Sequence, residues 1–296
     1  MIHGILAAAI TPLKPDFTPD YEAIPGYLDF LACRGCHGAL VLGTTGEGPS
    51  FSPEQRVEII NNSLRIREEW PDFFLLAGTG TPSLDETARL TRAAFDLGLD
   101  GVIIVPPYYY RKAGDEGLFS WYKEIMDRSV PTGGVVLGYH IPAVSGISFS
   151  MDLIARLLDS EPTKFIGLKD SSGDSDFAYQ LGKRFGNALS VFTGNDRHLS
   201  LALQNSASGS ITAMANVISP YLRDLWIAFQ ENKNLAEMQK VIDSVREVCE
   251  NYQPFPPLIK YLLSKYFEFP HWPVCPPLIS FTVDGNDLVF DKLNLA

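Results

Sequence analysis

The sequence is poor in cysteine, with four in 296 residues, and holds no unbroken apolar run of the length a membrane-crossing helix needs, about 18 residues. The cysteines, Cys33, Cys36, Cys249 and Cys275, are few and unevenly placed, which excludes a disulfide scaffold and points to a reducing compartment. Cys33 and Cys36 have C-x-x-C spacing, but no second cysteine pair stands nearby to complete a zinc site. They are expected to be buried small residues near a helix end. The first ten residues lack a basic stretch and a small-residue cleavage pattern, so a cytoplasmic protein without a membrane span is expected. No Lys/Arg-rich run occurs and the net charge is −11, which argues against a nucleic-acid partner. An anionic small substrate stays compatible, because the potential in a site depends on local donors. There is no phosphate-binding G-x-x-x-x-G-K-[ST] and no H-E-x-x-H. Gly78-Thr79-Gly80 lacks the later glycine of a nucleotide loop and reads as a turn. His3, His37, His140, His198 and His271 are scattered, so no metal is expected.

What is present is alternation. Apolar residues make up 46% of the chain, enough for a large core. Short β-rich runs recur roughly every 30 residues, the length of a βαβ unit. They are His3–Ile10, Gly38–Leu42, Phe73–Gly78, Gly101–Val105, Gly134–Tyr139, Phe165–Lys169, Ser190–Gly194 and Ser208–Thr212. Continuous apolar runs of this length suit strands covered on both faces. Between them, Tyr21–Arg34, Pro53–Trp70, Leu84–Leu97, Glu116–Arg128, Met151–Leu158, Asp176–Arg184 and Pro220–Gln230 mix apolar and charged residues at helical spacing. Ser52-Pro53, Ser83 and Ser219-Pro220 supply helix starts.

Eight strand–helix repeats predict a (β/α)8 TIM barrel over 1–231. A doubly wound open sheet would need a glycine-rich turn after its first strand, where this chain has Thr11-Pro12-Leu13. Residues 232–296 are expected as a C-terminal helical extension packed on the barrel, with helices over Leu235–Tyr252 and Pro257–Phe267. Strand-like character follows around Leu278–Val283 and Leu288–Phe290, with a turn at Asp284-Gly285-Asn286.

In such a barrel the active site lies at the carboxyl ends of the strands. Reactive residue types gather there: Gly43-Thr44-Thr45-Gly46-Glu47-Gly48, Pro107-Tyr108-Tyr109-Tyr110, Tyr139-His140, Lys169-Asp170, Gly194-Asn195-Asp196 and Ser210-Ile211-Thr212. Lys169 emerges from an apolar strand. Position alone leaves open a solvated ammonium. The alternative is a partly desolvated amine able to attack a carbonyl. Tyr139 ends the adjacent strand and could move protons, or could simply be packed. The Gly-Thr-Thr-Gly turn offers hydroxyls and N–H groups to a carboxylate, or is an ordinary βα turn. Ser208-Gly209-Ser210 could hold a phosphate, as in many barrels.

In combination, GTTGE, PPYYYR, Y-x-x-P-x-x-x-G, G-x-K-D and TGND resemble the pyruvate-dependent class I aldolase family, which includes dihydrodipicolinate synthase, N-acetylneuraminate lyase and 2-keto-3-deoxygluconate aldolase. The resemblance covers nearly the whole chain. It implies that Lys169 forms a Schiff base, so that no cofactor is needed beyond the covalent imine. It also implies that Tyr139 shuttles protons and that Thr44 and Thr45 bind the keto-acid carboxylate. Tyr109 corresponds to a tyrosine that reaches into a neighbouring subunit's site, and Gly194 and Ile211 to pyruvate-pocket positions. A homotetramer or homodimer is implied. Dihydrodipicolinate synthases carry an arginine after the catalytic tyrosine, where this chain has Val144. Losing that donor to a carboxylate costs on the order of 1.5–3 kcal/mol. The Ala143-Val144-Ser145-Gly146 run is closer to the sugar-acid lyases. Two neuraminate-lyase features are absent: Asp170-Ser171 follows the lysine, and Arg197 stands where an acid is usual. His140 replaces the common asparagine. The expected reaction is reversible cleavage of a 2-keto-3-deoxy sugar acid to pyruvate and an aldehyde, with Ser171, Asp196, Arg197 and Ser210 meeting sugar hydroxyls. Condensation, sugar-acid dehydration and a catalytically silent ligand-binding barrel are the alternatives.

Overall fold

The computed structural model describes residues 2–282. Eight strands, β1 (Gly4–Ala8), β2 (Gly38–Val41), β3 (Phe74–Gly78), β4 (Gly101–Ile104), β5 (Val136–His140), β6 (Phe165–Asp170), β7 (Ser190–Thr193) and β8 (Gly209–Thr212), close in sequence order into one parallel barrel. The closing pair sets Leu6 beside Ile211. Helices α1 (Ala23–Cys33), α2 (Pro53–Ser63), α3 (Leu84–Asp96), α4 (Asp115–Ser129), α5 (Pro142–Ser145), α6 (Met151–Ser160), α7 (Ser175–Phe185), α8 (Leu199–Gln204) and α9 (Ala215–Gln230) come between and after the strands. Helices α10 (Ala236–Glu250) and α11 (Phe255–Tyr266) pack against α9. No described helix is long and apolar enough to cross a membrane.

Alternation along each strand separates two cores. Leu6, Ala8, Leu40, Leu76, Ile103, Leu137, Tyr139, Phe192 and Ile211 fill the barrel interior. Residues of opposite parity, such as Ile5, Ala39, Leu75, Val102 and Val136, meet the helices in a second, larger cluster. Each strand is therefore apolar on both faces, which is why the runs read as continuous in the sequence.

Several boundaries differ from the sequence expectation. The helix at Pro53 leaves α-geometry at Ser63 and continues as a 3₁₀ turn over Leu64–Glu68. The helix over Ala215–Gln230 is two helices joined at a kink at Ile218 (φ −117°, ψ 23°): Ser219-Pro220 opens the longer one, as expected, and a short helical turn from Ala215 precedes it. The short helices α5 and α8 were not anticipated. Cys36 is buried as expected, but Cys33 is exposed, and all four cysteines are free. From Leu278 to Thr282 the chain forms no strand. Val283, the turn at 284–286 and the run at 288–290 lie outside the described residues.

Candidate active site

At the carboxyl mouth of the barrel is a cavity of about 400 Å3. Lys169 is the fifth residue of β6 and Tyr139 the fourth of β5, and strand register sets them side by side. Both point inward. Lys169 is 3% exposed, and its Nζ lies 4.3 Å from the centre of the Tyr139 ring. Among the described residues Lys169 makes no ion pair. The other buried lysine, Lys260, is clamped to Glu47 at 2.5 Å. A buried amine with no carboxylate partner is the arrangement nucleophilic catalysis needs.

The Tyr139 hydroxyl is 3.4 Å from Thr44 Oγ1. Burial pushes its pKa up. The nearby Lys169 charge, with hydrogen bonds involving Thr44, Lys169 and Ser171, outweighs burial and holds the phenol below its ordinary value. Thr44, Thr45, Ser171, Gly194 and Ile211 also line the cavity. Gly194 is required by close approach: a Cβ there would sit 1.9 Å from Ser171 Oγ.

The loop carrying the two threonines is fixed from below. Gly48 N–H donates to Gly43 at 3.1 Å, and a Cβ on Gly48 would lie 2.0 Å from the Leu42 carbonyl. Thr11 Oγ1 donates to Gly46 at 2.6 Å. Glu47 takes a left-handed backbone (φ 55°) and is buried. Its carboxylate accepts from Lys260 Nζ and from the Cys275 N–H at 2.7 Å. The glutamate of GTTGE thus ties the threonine loop to α11 and the segment after it. The helix beyond is started by a capping box between Ser52 and Gln55.

Four expected site residues, Ser210, Asp196, Tyr109 and Arg197, are elsewhere. Ser210 has the opposite parity to Ile211, so it faces the helices and is fully buried. Asp196 is fully buried and ion-paired with Arg246, behind the cavity wall. Tyr109 is 76% exposed, edge-on to Tyr110, and touches neither this cavity nor the adjoining one of about 160 Å3; Tyr108 lines the latter. Arg197 is partly exposed, with Nε 3.6 Å from Glu250. His140, on the outer face, accepts from the Phe149 N–H at 3.0 Å and stacks on Phe177 with centroids 4.3 Å apart. Burial lowers its pKa to about 4.

Asn195, just after β7, also lines the cavity; the sequence reading missed Arg246, Glu250 and Phe255, which line it from α10 and α11. No local signal marks them. On its own helix Arg246 is one charged residue among many, and only the docking of α10 brings it to the mouth.

The chain matches the dihydrodipicolinate synthetase family over residues 1–294. It is 37% identical over 278 residues to an uncharacterised DapA-like lyase of Chloroflexus aurantiacus, covering 94% of this chain and 91% of that one. It is 30% identical over 297 residues to the 4-hydroxy-tetrahydrodipicolinate synthase of Pelagibacter ubique, covering 99% and 98%. Among solved structures, dihydrodipicolinate synthase DapA-2 of Bacillus anthracis superposes with a TM-score of 0.88 at 25% identity, covering 99% and 98%. YagE of E. coli K12, solved in complex with pyruvate, superposes with a TM-score of 0.92 at 23% identity over the whole of both chains, a likeness of fold. The barrel, its site and these relatives together establish that the chain belongs to the dihydrodipicolinate synthetase family of pyruvate-dependent class I aldolases and lyases.

Proposed function

We propose that the protein cleaves a 2-keto-3-deoxy sugar acid reversibly to pyruvate and an aldehyde through an imine on Lys169. The observation that carries this reading is the buried Lys169 amine, unpaired with any described carboxylate, 4.3 Å above the Tyr139 ring. Pyruvate is also the molecule named in the YagE complex.

Lys169 Nζ attacks the C2 carbonyl, and water leaves to give a protonated imine. Tyr139 takes the proton of the C4 hydroxyl. The C3–C4 bond breaks, the aldehyde departs, and the electron pair moves into the C2–C3 bond as the imine becomes an enamine. Protonation at C3 and hydrolysis release pyruvate and regenerate the amine. Thr44 and Thr45 hold the carboxylate with hydroxyl and backbone donors. No cofactor beyond the covalent imine enters this scheme. Val144, 57% exposed on the cavity wall, offers no charge to a second carboxylate. This supports cleavage over condensation with a carboxylate-bearing aldehyde. The C-terminal helices α10 and α11 act as an extension closing the cavity, to which they contribute Arg246, Glu250 and Phe255. We place Tyr109 in the site of a neighbouring copy, in a homotetramer or homodimer of a cytoplasmic enzyme; its exposed ring, which lines neither cavity described above, supports this.

The test is borohydride reduction with pyruvate, followed by peptide mass spectrometry. The reading expects a reduced pyruvate adduct on Lys169, and none in Lys169→Met. A panel of sugar-derived 2-keto acids is then scored for pyruvate release. An unmodified Lys169 overturns the reading in favour of a silent barrel.

A further inference from the structure

We propose that Arg246, held by Asp196 and Glu250, forms the distal subsite of this cavity and selects aldehyde halves that are hydroxylated and uncharged. The inference rests on the aldolase reading above and names the chemistry of the end of the substrate that leaves.

Arg246 comes from α10, outside the barrel, yet lines the same cavity as Lys169 and Thr44. It is 7% exposed. Three contacts fix it. Its Nε donates to Glu250 Oε1 at 2.9 Å, its Nη1 pairs with Asp196 Oδ2, and its guanidinium carbon lies 4.6 Å from the Phe255 ring centre. Asp196 is anchored in turn, because Gln239 Nε2 donates to its backbone carbonyl at 3.0 Å. Asp196 and Gln239 are thus positioning residues acting through Arg246.

The charge balance decides what this end can bind. Arg246 and Arg197 face Asp196 and Glu250, with Arg197 Nε 3.6 Å from Glu250. Two cations and two carboxylates cancel. A substrate carboxylate needs an uncompensated cation, and Arg246 is already shared between two acids. Hydroxyls need donors and acceptors side by side. Arg246 has five N–H groups, of which two are committed to the acids. Glu250 and Asn195 on the same wall supply acceptors. Ala143 and Val144, which also line the cavity, are apolar.

The experiment compares the unaltered protein with Arg246→Ala and Glu250→Gln. It measures borohydride trapping of pyruvate on Lys169, and KM and kcat for condensation of pyruvate with glyceraldehyde or with succinic semialdehyde. For Arg246→Ala, the KM for glyceraldehyde rises about tenfold or more, the equivalent of one charge-assisted hydrogen bond. The pyruvate concentration that half-saturates trapping stays within about twofold, since Thr44 and Thr45 lie at the other end. For Glu250→Gln, which frees part of the Arg246 charge, preference shifts toward the carboxylate-bearing succinic semialdehyde. If both variants keep the original ratio of the two aldehyde KM values, the subsite is overturned. It is also overturned if trapping weakens in parallel with KM, as a purely structural role would produce. Should Arg246→Ala fail to fold, the Glu250→Gln ratio decides alone. Absence of trapping in the unaltered protein overturns the aldolase reading itself, which separates the two failures.

Discussion

Removing Glu47 tests whether the GTTGE glutamate acts as the buried anchor of the threonine loop. Glu47 and Lys260 are paired at 2.5 Å with side chains 0% and 1% exposed. At an effective dielectric of about 20, their gross attraction is about 6–7 kcal/mol, most of which offsets the cost of taking two charges out of water. The net value of the pair is therefore small, but breaking it is costly. In Glu47→Gln the ammonium stays buried without its counter-charge, which costs about 3–5 kcal/mol. At about 2 °C per kcal/mol for a chain of this size, Tm falls by about 6–10 °C. Burial already lowers the Lys260 pKa, and the Glu47 charge and hydrogen bond oppose that. Without Glu47 the lysine neutralises more readily, so the deficit shrinks as pH rises from 7 toward 9. Adding Lys260→Met removes the stranded charge, leaving the Pro273 carbonyl, 2.7 Å from Nζ, as the group without its donor. The double variant should then lose less than the sum of the singles, with a coupling of at least about 2 kcal/mol. The assay is thermal and denaturant unfolding of all four proteins at pH 7 and 9. A Tm for Glu47→Gln within about 1 °C of the parent, or additive losses in the double variant, would refute this account of the motif.

Two further outcomes concern proton chemistry. Thr44→Val removes one hydrogen bond that lowers the Tyr139 phenol, so the alkaline limb of the kcat/KM profile moves to higher pH; an unmoved limb removes Tyr139 from the rate-determining proton transfer. His140 is held neutral at about 4 against the usual 6.5, so the unfolded chain takes up its proton first and stability falls as pH drops through that window, by at most roughly 3 kcal/mol. His140→Asn should flatten that acid limb in melts between pH 7.5 and 4.5, and a limb as steep as the parent's would assign it elsewhere, for instance to His37, which burial depresses in the same way.

The barrel was legible because a parallel strand covered on both faces must be apolar throughout, and eight such runs leave few ways to close a sheet. The positions of Lys169 and Tyr139 were legible for a related reason: each is the polar residue at the carboxyl end of an apolar run, and register makes neighbouring strand ends adjacent. Parity along a strand also carried the information that Ser210 faces away from the cavity, since its neighbour Ile211 faces in. Residue type had suggested a sugar contact there, and geometry overrode it. Tyr109 is a different case: its ring is exposed, and the role proposed for it depends on a second copy, which a single chain does not display.

Sequence by itself determined the repeats, the strand ends and the chemistry those ends could support, since these follow from local periodicity and from what each side chain can do. Tertiary structure alone decided the distal wall of the site. Arg246 reaches the cavity through the docking of α10 and the 50-residue closure to Asp196, and Glu47 finds Lys260 across 213 positions. Such pairings arise from how whole helices settle on a finished barrel, and no short stretch of chain encodes them.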